Sequence, residues 1–381
     1  MTFSLRRFAF SALSLFSLAV TAHAGEKPAP EASGQRVEVA FVLDTTGSMA
    51  HLIDGAKKKI WSIANAIVDQ NPDAELYFGL VGYRDLGDDY VTRRFPLTTD
   101  LQGIYASLLN FEADGGGDTP ESVNEALDVA VTQLGWSDKD QGQTEDRTRR
   151  ILFLVGDAPP HMDYRQDRKY PEVIREALAR GIVVNTVQAG DLRSTEKVWR
   201  EMARLGHGDY HAIPQDGGRV VIIVTPFDER IREIQFRLNK TVIPYGSRIK
   251  QREVEDKTRQ YEAAVPAAAE ISSFVSKSGK GSKVITGSGD LVDAVHTGKA
   301  RLGEIPVEEL PPAMQKMSAA ERERYVAERR AEREKLSGEL GEIVLLRDAY
   351  LKEQSAREPV EADSFDRAVK ETLKNQVGEK R

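Results

Sequence analysis

The stretch Val37-Glu38-Val39-Ala40-Phe41-Val42-Leu43-Asp44-Thr45-Thr46-Gly47-Ser48 runs from a β-rich apolar segment into an acid followed by hydroxyl side chains. Residues 37–43 predict a buried strand. Residues 49–70 predict a helix, because Leu52, Ile53, Ala56, Ile60, Ile63, Ala64 and Ile67 recur at helical spacing. A strand leading directly into a helix is the opening unit of an α/β fold. Asp44, Thr46 and Ser48 then lie two apart at the strand's carboxyl end. Oxygen donors of this kind suit hard cations such as Mg²⁺, Mn²⁺ or Ca²⁺.

The pattern continues outward. Strands are expected at 76–83, 90–97, 151–155, 182–188 and 210–213, and helices at 101–110, 120–134, 171–180 and 195–205. Only residues 84–89 separate the second and third strands. That is too short for a parallel crossover, so this pair should be an antiparallel hairpin. The expected fold is a doubly wound, mostly parallel sheet with one antiparallel edge strand. Residues 220–224 are ambiguous, and 228–239 should be helical. In such a sheet, ligands bind where the strand order reverses. If the strands ending at Leu43 and Val155 are neighbours there, three loops converge: the one after Leu43, Gly156-Asp157, and Gly115-Gly116-Gly117-Asp118-Thr119-Pro120-Glu121.

Asp44-x-Thr46-x-Ser48, the Thr119 loop and Asp157 together resemble the metal-ion-dependent adhesion site (MIDAS) of von Willebrand factor A (VWA) domains, whose fold is Rossmann-like. The resemblance covers roughly residues 37–213 and extends toward 246. Tyr83-Arg84-Asp85, the glycine-rich loop and Gly156-Asp157-Ala158-Pro159-Pro160-His161 resemble a bacterial-type branch. The resemblance implies that the Thr46 and Ser48 hydroxyls bind the metal directly, and that Asp44 and Asp157 hold it largely through water. In the third loop Thr119 matches the usual hydroxyl ligand, and Asp118 beside it is an equally plausible donor. Arg84, Asp85 and His161 should lie on the rim. Arg84 either steers an acidic ligand or pairs with Asp85 or Asp88. His161 either touches a ligand or is a hydrogen-bonded loop residue.

The remaining residues bound the function. Net charge is −7, and loss of the first 24 residues would remove Arg6 and Arg7 and no acid, giving −9. That argues against non-specific nucleic-acid binding, which needs basic patches. The absence of Cys excludes disulfides, thiolate catalysis and Cys-ligated zinc. Arg6-Arg7, an apolar run over 8–20 and Ala22-His23-Ala24 fit a secretory signal peptide at 1–24. Residues 25–35 resemble a linker, 36–246 the VWA domain, and 247–381 a mainly helical C-terminal extension. Within that extension 251–276 should be helical with a break at Pro266. Ser318-Ala319-Ala320-Glu321 is a capping box opening a long helix with Leu336, Leu340, Ile343 and Tyr350 on its apolar stripe. Gly287-Ser288-Gly289-Asp290 should cap a helix at 291–296.

The resemblance implies a non-enzymatic binding protein, and the leader pattern an exported one, periplasmic or secreted, without a membrane span once the leader is removed. Its Mg²⁺ (or Mn²⁺ or Ca²⁺) would capture an Asp or Glu of a protein partner in adhesion or assembly. The competing expectation is a metal-dependent hydrolase that uses a cation-bound water, with His161 and Asp118 as the only rim groups able to assist. A third is a structural protein acting through an exposed helical stripe.

Overall fold

The structure, a computed structural model, describes residues 35–117, 119–139, 148–218, 223–263, 267–278, 287, 289–357 and 364–378. The expected leader, the linker up to residue 34, Asp118, residues 220–222 and Pro266 lie outside the described residues.

The chain begins with β1 (Arg36–Asp44), a 3-10 turn (Gly47–Met49) and α1 (Ala50–Val68), then β2 (Glu75–Tyr83), β3 (Thr92–Thr98) and α2 (Leu101–Leu109). Next come α3 (Val123–Gln133), β4 (Arg149–Gly156), α4 (Tyr170–Ala179), β5 (Ile182–Ala189), α5 (Arg193–Leu205) and β6 (His207–Ile213). The six strands lie in the order β3-β2-β1-β4-β5-β6. All neighbours are parallel except β2 and β3, which form the expected antiparallel pair. The order reverses at β1, whose Leu43 pairs with Val155 of β4. The switch point therefore falls where the three loops were expected to meet.

Helices cover both faces of the sheet, which is why β1 is apolar along nearly its whole length. Val37, Val39, Phe41 and Leu43 face a core shared with α1 and α2, whereas Ala40 and Val42 face one shared with α3 and α4. Within residues 36–213, two boundaries differ from expectation by three residues, the others by no more than two. Helix α3 starts at Val123 rather than residue 120, because Glu121 is held extended beside Pro160. The Glu121 N–H donates to Pro159 O at 2.9 Å, and the His161 N–H donates to Glu121 O at 3.0 Å. Strand β6 begins three residues earlier than residue 210, at His207, where Val184 pairs with it.

After β6 come α6 (Asp228–Asn239), α7 (Arg248–Ala263), α8 (Ala268–Lys277), α9 (Leu291–His296), α10 (Pro312–Gln315), α11 (Ala319–Arg357) and α12 (Phe365–Gly378). The capping box forms: the Ser318 N–H donates to Glu321 Oε2 at 2.7 Å, and the Glu321 N–H to Ser318 Oγ at 3.4 Å. Asp290 caps α9 by accepting from the Val292 N–H. Of the expected stripe of α11, Leu336 and Leu340 are buried and Ile343 and Tyr350 half-buried. Leu336, Leu340 and Val344 pack on Ile231, Ile234 and Leu238 of α6. The structural-protein expectation required that stripe to be exposed, so it loses its support.

The core does not stop at residue 246. Ile271 and Phe274 of α8, and Phe365, Val369, Leu373 and Val377 of α12, join the sheet core on the α1 side. Phe365 lies 6.4 Å from Phe41, ring to ring. The apolar positions of α12 recur every four residues, so one face of that helix is apolar and needs a partner surface. The flank of α1 supplies it.

Candidate metal centre

Asp44 is the last residue of β1 and is fully buried. Its Oδ1 accepts from the Thr46 N–H at 2.9 Å and the Thr46 hydroxyl at 2.7 Å. Thr46 Oγ1 lies 3.3 Å from Ser48 Oγ. Because Thr46 gives its proton to Asp44, its oxygen lone pairs are left for another partner. Asp44 Oδ2 is buried and has no hydrogen-bond partner.

Asp157 follows β4. Its loop is anchored from behind by α5: Thr195 Oγ1 donates to Asp157 O at 2.9 Å, and Trp199 Nε1 donates to Ala158 O at 3.2 Å. Gly156 passes so close to β1 that an added Cβ would lie 2.4 Å from the Tyr83 hydroxyl and 3.1 Å from Asp44 Oδ2. Any side chain there would drive into the cluster. The glycine-rich loop is stitched to the first loop by Gly47 N–H to Gly115 O (3.2 Å) and Asp114 N–H to Thr45 O (3.1 Å). Gly115 has φ 76°, and a Cβ on it would meet Asp88 Oδ1 at 2.3 Å, so both its conformation and its surroundings require glycine. Thr119 is exposed at the end of this loop.

Three groups that sequence reasoning did not assign complete the picture. Glu121 is buried and its Oε2 has no hydrogen-bond partner. It stands in the same loop as Asp118 and Thr119, and that position was its only signal. The Tyr83 hydroxyl, at the end of β2, is buried without a hydrogen-bond partner. Gln215, in the turn after β6, donates through Nε2 to Asp157 Oδ2 at 2.6 Å. Nothing in the local pattern points to Gln215, because the contact spans 58 residues.

Electrostatics set this end of the sheet apart. Burial, and then the charge of Asp157, push the Asp44 carboxyl up to about 7 against the hydrogen bonds from Thr46. Burial, followed by the charges of Asp44, Asp85, Asp157 and Asp88, pushes Glu121 up to about 9. Burial, followed by the charges of Asp44, Glu121 and Asp157, drives the Tyr83 hydroxyl well above its usual value. The charges acting most strongly on Asp44 and Glu121 are those of other acids. Unpartnered buried carboxylate oxygens, free hydroxyl lone pairs and uncompensated negative charge fit a hard divalent cation.

The rim residues are occupied with structure. Arg84 donates to Thr45 O at 3.2 Å and Glu112 O at 2.8 Å, and its nearest carboxylate is Asp89 at 3.9 Å. It ties the first loop to the glycine-rich loop. Asp85 is buried and accepts from Ser122 Oγ (2.7 Å) and the Tyr164 hydroxyl (2.8 Å). His161 is buried, stacks on Tyr164 with ring centres 3.9 Å apart, and has Nδ1 2.9 Å from Asp163.

The geometry thus defines a doubly wound α/β domain with an oxygen-donor cluster at its switch point. Residues 38–225 match the family model for the von Willebrand factor A domain, and this part of the chain carries a VWA domain. Among relatives, mouse von Willebrand factor A domain-containing protein 7 is 31% identical over 166 residues, covering 37% of this chain and 18% of that protein. Alpha-protein kinase vwkA of Dictyostelium discoideum is 25% identical over 128 residues, covering 33% of this chain and 19% of that protein. The chain therefore spans about a fifth of the length of these relatives. Among solved structures, the VWA domain of SpRpn10 aligns with a TM-score of 0.34 at 13% identity, covering 48% of this chain and 89% of that one.

Proposed function

We propose that the centre binds a divalent cation, Mg²⁺, Mn²⁺ or Ca²⁺, and that the loaded centre captures an Asp or Glu side chain of a protein partner. The observation that carries this reading is Asp44 Oδ2: a fully buried carboxylate oxygen without a hydrogen-bond partner, with the Thr46 and Ser48 hydroxyls at the same loop and the charge of Asp157 acting on it. Asp44, Thr46, Ser48, Asp157 and Glu121 would hold the ion, with Asp118 or Thr119 adding a further oxygen. When bound, the cation supplies an electrophilic position that a partner's carboxylate can fill. The protein's own groups prepare the place: Thr46 fixes Asp44, Gln215 fixes Asp157, and Arg84 and Asp85 fix the two adjoining loops. VWA domains commonly mediate protein–protein interaction, which is consistent with this use.

We read the centre as binding rather than hydrolytic, because His161, the one of the two expected rim groups that lies among the described residues, is stacked on Tyr164 and engaged by Asp163. We further propose export to the periplasm or the medium, on the strength of the Arg6-Arg7, apolar and Ala22-His23-Ala24 pattern. Intact mass of the exported protein should show a chain beginning at Gly25; retention of Met1 would overturn the export reading. No helix among the described residues is long and apolar enough to cross a membrane.

The test of the centre is calorimetric titration of Mg²⁺ and Mn²⁺ into wild type and Asp44→Ala. It is paired with a pull-down from the source cell envelope with and without chelator. Binding should require Asp44. Equal ion binding by the two proteins would place the site elsewhere.

A further inference from the structure

A cavity of about 470 Å³ opens away from the metal centre, bounded by α1, α2, α8, α11 and α12. That volume is in the range of small-molecule sites. Lys57, Lys58 and Lys59 of α1 and Lys370 of α12 line it together with Asp54 and Asp366. The ion pairs on this wall are loose: Lys57–Asp54 at 3.8 Å, Lys59–Asp366 at 3.5 Å and Lys370–Asp366 at 3.6 Å. Across the cavity a single Arg347 holds both Asp228 at 2.9 Å and Glu270 at 3.0 Å, so that side carries one cation against two carboxylates.

Lys57, Lys58, Lys59, Lys370 and Arg347 face Asp54, Asp228, Glu270 and Asp366, so the lining has a net excess of one positive charge, with the lysines gathered on the α1–α12 wall, in a chain whose net charge is −7. The Lys57 and Lys59 side chains are only 19% and 15% exposed, so their charges are partly withdrawn from water. An anion between them is attracted more strongly than at an open surface. Tyr105, Leu109 and Leu351 add apolar surface to the same cavity.

We propose that this cavity binds a small, soluble organic phosphate monoester, with the dianion on the lysine wall and the organic body against Tyr105, Leu109 and Leu351. Phosphate suits the wall because its several acceptor oxygens can take N–H donors from more than one ammonium group at once. A bound ligand would bridge α1 of the VWA domain to α12, and so fasten the last helix to the domain. This site is independent of the metal centre.

The experiment is calorimetric titration of phenyl phosphate into the full chain at constant ionic strength, with sodium sulfate and benzyl alcohol as separate probes for charge and for the ring. Wild type should bind phenyl phosphate saturably at up to millimolar concentrations and more tightly than either control. Lys58→Gln, whose lysine is exposed, and Lys370→Gln should each weaken it, the latter by about tenfold. Lys370→Arg should retain most of the affinity, and circular dichroism checks the fold of each variant. Absence of saturable binding by wild type would overturn the proposal. So would sulfate binding as tightly as phenyl phosphate, or affinity that is unchanged in both glutamine variants.

Discussion

Two buried carboxylates show how this molecule separates structure from function. The Asp290 side chain is 1% exposed and Asp44 is 0% exposed. Asp290 receives Arg333 Nη1 at 2.6 Å, and its other oxygen caps α9 through Val292 and accepts from the Ile243 N–H. Arg333 also donates to Thr241. Asp44 has one satisfied oxygen, one without a partner, and acids rather than a cation around it. Burying a carboxylate costs several kcal/mol unless something compensates. At the α9–α11 junction the chain supplies the compensating cation itself. At the switch point no ion pair among the described residues involves Asp44, and on the proposed reading an outside ion would relieve the cost.

The contrast predicts opposite responses to removing one charge. Arg333→Met strands Asp290 and should destabilise the fold by about 3–5 kcal/mol, measured by urea unfolding. Asp44→Asn keeps the Oδ1 acceptor for Thr46 and removes a charge that has no partner. In metal-free buffer at pH 8 it should leave stability unchanged or raise it by about 1–3 kcal/mol, while abolishing divalent-ion binding. If Asp44→Asn unfolds as readily as Arg333→Met, the two carboxylates serve the same structural purpose and the contrast fails.

Smaller changes sharpen the donor assignment. Thr46→Ser keeps the hydroxyl and should alter ion affinity only a few-fold, because a neutral oxygen donor remains. Thr46→Val keeps the shape and loses both the donor and the hydrogen bond to Asp44. It should weaken binding by at least about tenfold. Equal affinities for the two variants would remove Thr46 from the ligand set.

The parts of this arrangement that were legible in sequence are those written locally. The β1 apolar run leading into Asp44-Thr45-Thr46-Gly47-Ser48, the short link between β2 and β3, and the Ser318–Glu321 box all carry their own geometry within a few residues. Their outcomes in the structure follow from strand burial, chain reach and capping. What stayed hidden depends on distant pairing. Gln215 meets Asp157 only because β6 lies beside β5 and delivers its exit turn to the same end of the sheet. Glu121 was read as part of a helix start, and its burial depends on the bridge to Pro160, which no periodicity signals. The apolar face of α12 can be seen at four-residue spacing in Phe365, Val369, Leu373 and Val377. Its partner α1 lies some 300 residues earlier, and nothing local names it.

The smallest expected effect tests how α12 is held on α1. Asp366, in the first turn of α12, faces Lys59 and Lys370 and accepts from the Ser364 hydroxyl at 3.0 Å. Burial alone would raise its carboxyl. Lys59, Lys370 and Ser364 outweigh it, and the group sits below its ordinary value of 3.8. The folded chain therefore binds fewer protons than the unfolded chain over this window. The resulting stabilisation is complete above 3.8 and is lost as pH falls through the folded-state value. Asp366→Asn should cost no more than about 1 kcal/mol at pH 7, since the pairs are loose and partly solvated. The gap between wild type and variant should narrow as pH falls below 3.8 and close once the folded-state carboxyl is protonated. Urea unfolding at pH 7 and pH 3 measures both values. A gap that is the same at the two pH values would mean that Asp366 acts through its shape and its cap at the start of α12. The lysine wall would then contribute nothing to holding the last helix in place.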